Sequence, residues 1–239
     1  MSEAVRKVRP GDVIDDFQSQ LADLDSYFQR VVGVLTGTHN EKSDVSTLAE
    51  QTMVTLATAL EGFLSDLFLA YLNSNSTKFQ ESYENSVRQS IQSKYGIWHA
   101  DRLTYSTVRH IKLSDLQLLI DPTGWNVTFK EAQMLKTRAA EWLIQVHRNR
   151  VNSLSIDDDR VIDTVKVIRD FIAHRSRGAK DRMNTGLEAI DQGPPNQNLG
   201  RGDNEIQHVG PFLKAVFGTR RRLQLYGDRL REIANKLRP

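Results

Sequence analysis

One apolar stretch near the first quarter of the chain decides the fold, LATALEGFLSDLFLAYL (residues 56–72). Its large apolar side chains recur every three or four residues, which is the spacing of one face of an α-helix. Together with the preceding methionine, the stripe consists of Met53, Leu56, Leu60, Phe63, Leu64, Leu67 and Tyr71. A stripe of this length predicts a long helix that packs along its whole length against other helices of a bundle.

Helical spacing of apolar residues extends outward from this stretch in both directions. Thr47 and Glu50 have the spacing of a capping box, which predicts that the central helix begins near residue 47, and the polar NSNSTK (73–78) ends it. Thr128 and Glu131 have the same spacing, and the carboxylates of DDDR (157–160) favour a helix N-terminus. The predicted long helices cover about residues 12–35, 47–72, 80–95, 128–148, 157–178 and 207–237.

The predicted fold class is all-α, because no segment shows the sustained alternation of apolar and polar residues that is typical of a strand. We expect a single domain over residues 1–239, built as a bundle of four to five long helices. A helical insert is predicted over 80–128, with two short helices and a turn at DPTGW (121–125). Residues 184–206 are rich in Gly, Pro and Asn and are predicted to form a mobile loop.

The composition excludes several classes of protein. The chain has no cysteine, which excludes disulfides, zinc–thiolate sites and thiol nucleophiles. No apolar run approaches the roughly 20 residues that span a bilayer, and the N-terminal MSEAVRKVRPGDVIDD contains no apolar signal segment. We therefore expect a cytoplasmic protein with no membrane partner.

Charge is distributed unevenly along the chain. Residues 1–159 contain 16 Lys and Arg against 21 Asp and Glu, a net charge of −5, whereas residues 160–239 contain 16 against 9, a net charge of +7. The basic C-terminal part is a candidate surface for a polyanion such as nucleic acid. The alternative is that these cations form an ordinary solvated helix face.

A second informative stretch, VIRDFIAHRSRG (167–178), places Arg169 and His174 on one helix. The apolar stripe of that helix is formed by Val161, Val165, Ile168 and Ile172. At about 100° per residue, Arg169 lies at the shoulder of this stripe and His174 lies about 140° further round. The two side chains would meet only if the helix were distorted near residue 173, or if a second copy of the helix faced the first across a two-fold axis.

Arginine and histidine together suffice for cleavage of RNA by attack of its own 2′-OH. Histidine can give or take a proton near neutral pH, and arginine stabilises the negatively charged phosphorane. This chemistry needs no metal and no other cofactor. His39, His99, His110 and His147 have no second histidine or carboxylate at ligand spacing, so the sequence predicts no metal site.

The spacing of arginine and histidine is a loose pattern that is expected about once by chance in such a chain. Arg201 and His208 also satisfy it. We interpret that second pair as the chance occurrence, because it lies in the stretch rich in Gly and Pro, outside a packed helix.

The string IRDFIAHR (168–175) resembles the signature of the HEPN superfamily, which consists of all-α proteins, many of them ribonucleases. The signature is an arginine, often followed by Asn, Asp or His, with a histidine a few residues later, and here it matches Arg169, Asp170 and His174. The central helix also resembles a long HEPN helix that carries a glutamate before a Phe-Leu pair, and this glutamate would be Glu61. LLIDPTGWNVTF (118–129) resembles the insert of the larger members, the RiboL-PSP type.

This resemblance implies a metal-independent endoribonuclease that acts as a homodimer, as a toxin or as an effector of abortive phage defence. Arg169 and His174 would be catalytic, Asp170 would polarise or position them, and Glu61 would be a neighbour of the motif. The residues that would bind RNA phosphates are Arg175, Arg177, Lys180 and Arg182. Some HEPN toxins carry a modified tyrosine two residues after the histidine, where this chain has Ser176, so we expect an antitoxin or defence partner that neutralises by binding.

Two alternatives remain open at this point. The first is a catalytically inactive HEPN-like module that binds nucleic acid or a protein through its basic C-terminal part, including the arginines of 220–222. The second is a structural dimer in which Arg169 pairs with a carboxylate across the interface. Glu61 could equally be a surface carboxylate that is paired with a lysine or an arginine.

Overall fold

The computed structural model describes residues 8–106, 108–120, 128–190 and 193–239. The predicted all-α class is confirmed, since this described part consists of eleven helices and one short hairpin. The elements are α1 (Pro10–Leu35), α2 (Glu41–Ser74), α3 (Thr77–Tyr95), α4 (Ile97–Ala100), α5 (Leu113–Ile120), α6 (Ala132–Trp142), α7 (Gln145–Asn152), α8 (Ile156–His174), α9 (Arg177–Ala189), α10 (Val209–Lys214), β1 (Val216–Phe217), β2 (Arg220–Arg221) and α11 (Arg222–Lys236).

Helix α2 is the central helix of the bundle, and α1, α5, α8, α10 and α11 pack against it. Every residue of its predicted stripe is buried. Phe63 of this stripe stacks on Phe17 of α1, with ring centroids 4.1 Å apart. By length and composition α2 could cross a membrane, which corrects the expectation that no segment of the chain is apolar enough. Since 61% of its most apolar window is buried inside the protein, that apolar character serves the bundle core.

The start of α2 lies six residues before the predicted position, so Thr47 and Glu50 do not cap it. Val45 and Leu48 are buried and extend the apolar stripe toward Glu41. This additional buried surface stabilises the extra turns more than a cap at residue 47 would. Glu50 instead accepts a hydrogen bond from the backbone N–H of Gly210, 3.0 Å away.

The close approach of α10 to α2 requires glycine at position 210. A Cβ atom there would lie 2.8 Å from the Ser46 carbonyl oxygen and 2.9 Å from the Ser46 Cβ. We therefore expect Gly210→Ala to lower the free energy of unfolding by about 1–3 kcal/mol, measured by urea denaturation. Gly33→Ala is the control, because a Cβ on this α1 glycine would meet no atom within 4 Å. Helix propensity should make that variant up to about 1 kcal/mol more stable, and equal losses in both variants would contradict the steric argument.

The helix predicted over 128–148 is broken at Leu143, so α6 ends at Trp142 and α7 begins at Gln145. Thr128 and Glu131 form no side-chain cap. The break leaves Leu143 buried and Val146 exposed to solvent. The turn predicted at DPTGW lies outside the described residues.

The break also carries His147 into the bundle, where it is buried. Its ring stacks on Tyr71, and its Nε2 lies 2.7 Å from the Ser74 hydroxyl. Burial lowers the pKa of His147, because the low-dielectric surroundings disfavour the imidazolium.

This lowered pKa predicts a pH dependence of stability. Below about pH 6.5 the unfolded chain binds a proton on His147 that the folded chain does not, so the free energy of unfolding falls as the pH is lowered from 7 to 5. His147→Gln removes the titrating group, and we expect a shallower pH dependence in urea denaturation at these two pH values. His39→Gln, in the exposed loop before α2, should behave like the wild type. A slope that is unchanged in His147→Gln would contradict the assignment.

Helix α8 begins at Ile156, as the carboxylates of 157–160 predict, and Ser155 and Asp158 form its capping box. The helix ends at His174, four residues before the predicted position, because Arg175 has a left-handed backbone with φ of 51°. Ser176 then caps α9 by accepting a hydrogen bond from the Ala179 N–H. Residues 184–189 belong to α9, which corrects the loop predicted over 184–206 in that part.

The last predicted helix, 207–237, is interrupted by a hairpin between α10 and α11. All three arginines of 220–222 point inward to protein partners. Arg220 pairs with Asp25 at 3.0 Å and Asp228 at 2.8 Å, and Arg221 donates to the Lys214 carbonyl oxygen. Arg222 donates to two backbone carbonyl oxygens, and its guanidinium lies 3.8 Å from the ring centroid of Phe212. These contacts hold the break in place and engage each of the three arginines with a protein partner.

Candidate functional site

The guanidinium of Arg169 lies between two carboxylates at the edge of the α2–α8 interface. Its Nη2 donates to Oε1 of Glu61 on α2, and its Nε lies 3.4 Å from Oδ1 of Asp170. The side chains of Arg169 and Glu61 are 31% and 35% exposed. The predicted proximity of Glu61 to the motif is therefore present in the structure, as a direct ion pair. A half-buried cation with two carboxylate contacts is held in one orientation.

The packing of α8 against α2 explains why Arg169 lies beside Glu61. Val161, Val165 and Ile168 are fully buried against the core, so Arg169 emerges one position beyond the last of them. On α2, Glu61 follows the fully buried Leu60. The two charged residues therefore face each other across the boundary between core and solvent, where the arginine stem is covered and its guanidinium reaches water.

His174 is the last residue of α8 and is exposed. Its ring makes no hydrogen bond or ion pair with any residue that the structure describes. Because α8 is a continuous helix from Ile156 to His174, no distortion near residue 173 brings His174 toward Arg169. The angular separation of about 140° therefore holds, and one chain does not unite the two side chains.

Arg175, the residue after His174, is also bound to α2. Its guanidinium pairs with Glu50, the residue that accepts from Gly210, and lies 5.4 Å from the ring centroid of Phe171. The carboxylates Glu50 and Glu61 are eleven residues apart, which is three helical turns, so they lie on the same face of α2. Since Arg169 meets Glu61 and Arg175 meets Glu50, α8 runs antiparallel to α2.

The other predicted phosphate-binding residues lie on α9, where they differ in their partners. Lys180 pairs with Glu205 at 2.9 Å and donates to Gln207. Arg177 and Arg182 are exposed and form no ion pair with a described residue. The structure thus brings Arg169, Arg175 and Arg177 to one end of α8. Arg169 and Arg175 are each paired with a carboxylate of α2.

A groove of about 880 Å³ runs between α9 and residues 201–207, and we call it the α9 groove. Its charged lining consists of Arg175, Arg177, Lys180, Arg201, Asp181, Glu188 and Glu205. Four cations and three carboxylates make this groove nearly balanced in charge. Arg201, which we interpreted as half of a chance pair, is bound to Glu188 at 2.8 Å, and it forms part of the groove wall.

Sequence reasoning missed the carboxylates that pair with the predicted phosphate-binding cations. The sequence predicts Glu50 as a capping residue and places Glu205 in the loop over 184–206. The eleven-residue spacing from Glu61 could have identified Glu50 as a second carboxylate on that face of α2. No local signal identifies Glu205, because its partner Lys180 lies 25 positions earlier in the chain.

Among the described residues, no group of three or more His, Asp or Glu side chains is arranged to hold a metal ion. Comparison with known families, with curated proteins and with solved structures finds no match to this chain.

Proposed function

We propose that the protein is a metal-independent endoribonuclease of the HEPN type that cleaves RNA as a homodimer. The observation that carries this proposal is the pair formed by Arg169 and Glu61, together with the exposed His174 on the same helix, which has no partner among the described residues. An arginine held in place at the edge of the core supplies a fixed cation, and an exposed histidine supplies a group that transfers protons.

The proposed chemistry assigns one role to each side chain. A histidine removes the proton from the 2′-OH, and the resulting oxygen attacks the adjacent phosphorus. The imidazolium formed in this way donates its proton to the departing 5′-oxygen, and a 2′,3′-cyclic phosphate remains on the upstream fragment. Arg169 stabilises the additional negative charge on the phosphorane, while Asp170 and Glu61 hold the guanidinium in position.

The helix geometry supports a composite site. Within one chain, Arg169 and His174 are about 140° apart around a continuous helix, so their side chains leave the helix in different directions. A two-fold axis beside the end of α8 would place Arg169 and His174 of both copies in one cleft. Arg175, Arg177, Lys180 and Arg182 would then contact phosphates on either side of the cleaved bond.

The direct test is incubation of the purified protein with single-stranded RNA in the presence of EDTA. We expect cleavage that persists in EDTA and products that end in a 2′,3′-cyclic phosphate, identified by mass spectrometry. His174→Ala should abolish the cleavage, whereas His39→Ala, an exposed histidine of the loop before α2, should not. Equal cleavage by the wild type and by His174→Ala would refute the proposal.

In the cell, we propose a toxin or abortive-infection effector in the cytoplasm that a bound partner protein neutralises. Expression in a bacterial host should then arrest growth, and this arrest should be lost in the His174→Ala variant.

The second candidate function is a catalytically inactive module that binds RNA. The observation that favours it is that Arg169 and Arg175 are each neutralised by a carboxylate of α2. This module would bind RNA with a strong dependence on salt and would show no turnover. His174→Ala would leave its affinity unchanged.

A further inference from the structure

A projecting arm, residues 77–103, is formed by α3, α4 and the turn between them. At its base Phe79 packs against Trp142, with ring centroids 5.3 Å apart, and Gln80 bonds to the backbone of Val108. Beyond this base the arm leaves the bundle, because no residue from Glu81 to His99 is buried. Arg88 donates to the carbonyl oxygens of Ala100 and Leu103 and ties the two helices of the arm together.

The tip of the arm carries exposed aromatic rings with cations against them. Trp98 is 60% exposed and Tyr95 is 56% exposed. The Arg102 guanidinium lies 3.6 Å from the ring centroid of Trp98 and donates to the Trp98 carbonyl oxygen at 3.0 Å. Lys94 lies 5.3 Å from the ring centroid of Tyr95. Arg102 therefore holds one face of the Trp98 indole. The exposed part of the indole offers an area on which another planar group can stack.

The charge around the tip has the opposite sign to that of the surrounding sequence. Residues 94–103, which form the tip, contain Lys94, Arg102 and one carboxylate, Asp101, a net charge of +1. Residues 1–159 as a whole carry −5. Cations concentrated between exposed rings form the combination that binds single-stranded nucleic acid, in which bases stack on the rings and phosphates contact the cations.

We propose that the arm tip is a second binding site for single-stranded RNA, in which a base stacks on Trp98 while Arg102 and Lys94 contact the adjoining phosphates. This inference rests on the proposed function only in naming RNA as the ligand. The arm begins beyond Ser74, thirteen residues along α2 from Glu61, a separation of about 20 Å. The arm would therefore hold RNA outside the cleavage site and favour long substrates.

The test measures binding without cleavage. The full chain carrying His174→Ala is titrated with a fluorescein-labelled oligouridine of twelve nucleotides, and fluorescence anisotropy is recorded. Adding Trp98→Ala should weaken binding about ten-fold, and Trp98→Phe should retain most of the affinity because a ring is kept. Tyr27→Ala is the matched control, since Tyr27 is a similarly exposed aromatic residue, 50% exposed, on α1. This control should bind like its parent.

Affinity that is unchanged in Trp98→Ala would overturn the proposal. So would a change of oligomeric state in that variant without a change in affinity, which would indicate a protein interface. Wild-type binding to anionic vesicles but not to the oligonucleotide would overturn it in favour of a lipid surface. Cleavage is measured separately on the wild type. If binding depends on Trp98 but no cleavage is detected, the arm binds RNA and the proposed nuclease function is refuted. If RNA is cleaved but binding does not depend on Trp98, the nuclease function is supported and the arm site is refuted.

Discussion

Arg169→Ala and His174→Ala are each expected to lower the rate of RNA cleavage by at least about 100-fold. Mixing the two inactive proteins should restore part of the activity. The reason is geometric, because a heterodimer of the two variants still contains one Arg169 and one His174 in the shared cleft. Random exchange of equal amounts makes about half of the dimers mixed, which sets the upper limit of the recovery.

The mixture is assayed with single-stranded RNA after incubation long enough for subunits to exchange. Arg160→Ala is the matched control for Arg169, because Arg160 lies on the same helix and forms a surface pair with Asp157. It should keep full activity. Two variants that are inactive alone and remain inactive after demonstrated exchange would contradict the composite site. Circular dichroism of each variant separates loss of catalysis from loss of folding.

Asp158→Ala is expected to lower the free energy of unfolding by about 3–5 kcal/mol. Asp158 is fully buried and lies 2.5 Å from Nη2 of Arg229, whose own side chain is only 3% exposed. Its carboxylate also accepts from Lys236 at 2.8 Å and from the Ser155 N–H at 2.7 Å. Removal of the carboxylate leaves the Arg229 cation inside the protein without its buried partner and also removes the capping box of α8.

Urea denaturation of Asp158→Ala and Asp157→Ala measures this difference directly. Asp157 is the adjacent residue, and its pair with Arg160 is exposed to solvent, so its loss should cost less than about 1 kcal/mol. Similar losses for the two variants would show that the buried pair contributes little.

The pH dependence of the same pair has a definite sign. Burial opposes ionisation of Asp158, but hydrogen bonds from Lys236 and Ser155 and the charge of Arg229 outweigh it, so its pKa is lowered. A lowered pKa stabilises the folded state above the pKa of the unfolded carboxyl, near 4, and this stabilisation is lost as the pH falls through the folded pKa. Asp158→Ala should therefore lose less stability on acidification than the wild type.

Local periodicity was enough to predict the helices that build the core. The stripe of α2 and the start of α8 are confirmed, and Glu61 forms an ion pair with Arg169. These features depend on residues within a few turns of one another, and helical spacing reports such relations directly.

The positions at which the helices are interrupted were not predictable from local periodicity. The predicted helix over 207–237 is broken at a hairpin. Arg222, which follows the hairpin, donates to the carbonyl oxygens of Asn198 and Phe212, and Asp25 of the first helix pairs with Arg220 of the hairpin. The sequence did contain one sign of the break, Gly218, which has a φ of 61°. A single glycine does not by itself distinguish a turn from a tolerated residue in a helix.

The sequence by itself determined the helical class, the face of α2 that is buried, and the presence of Arg169, His174 and their basic neighbours on consecutive turns. Only the tertiary structure decided which of these charged side chains remain exposed and which are paired with a carboxylate. The net charge of +7 in residues 160–239 suggested a broad basic surface, yet Arg220 pairs with Asp25, Arg229 with Asp158, and Arg175 with Glu50. Each partner lies more than 70 positions away, so folding alone brings these charges together and leaves His174, Arg177 and Arg182 exposed.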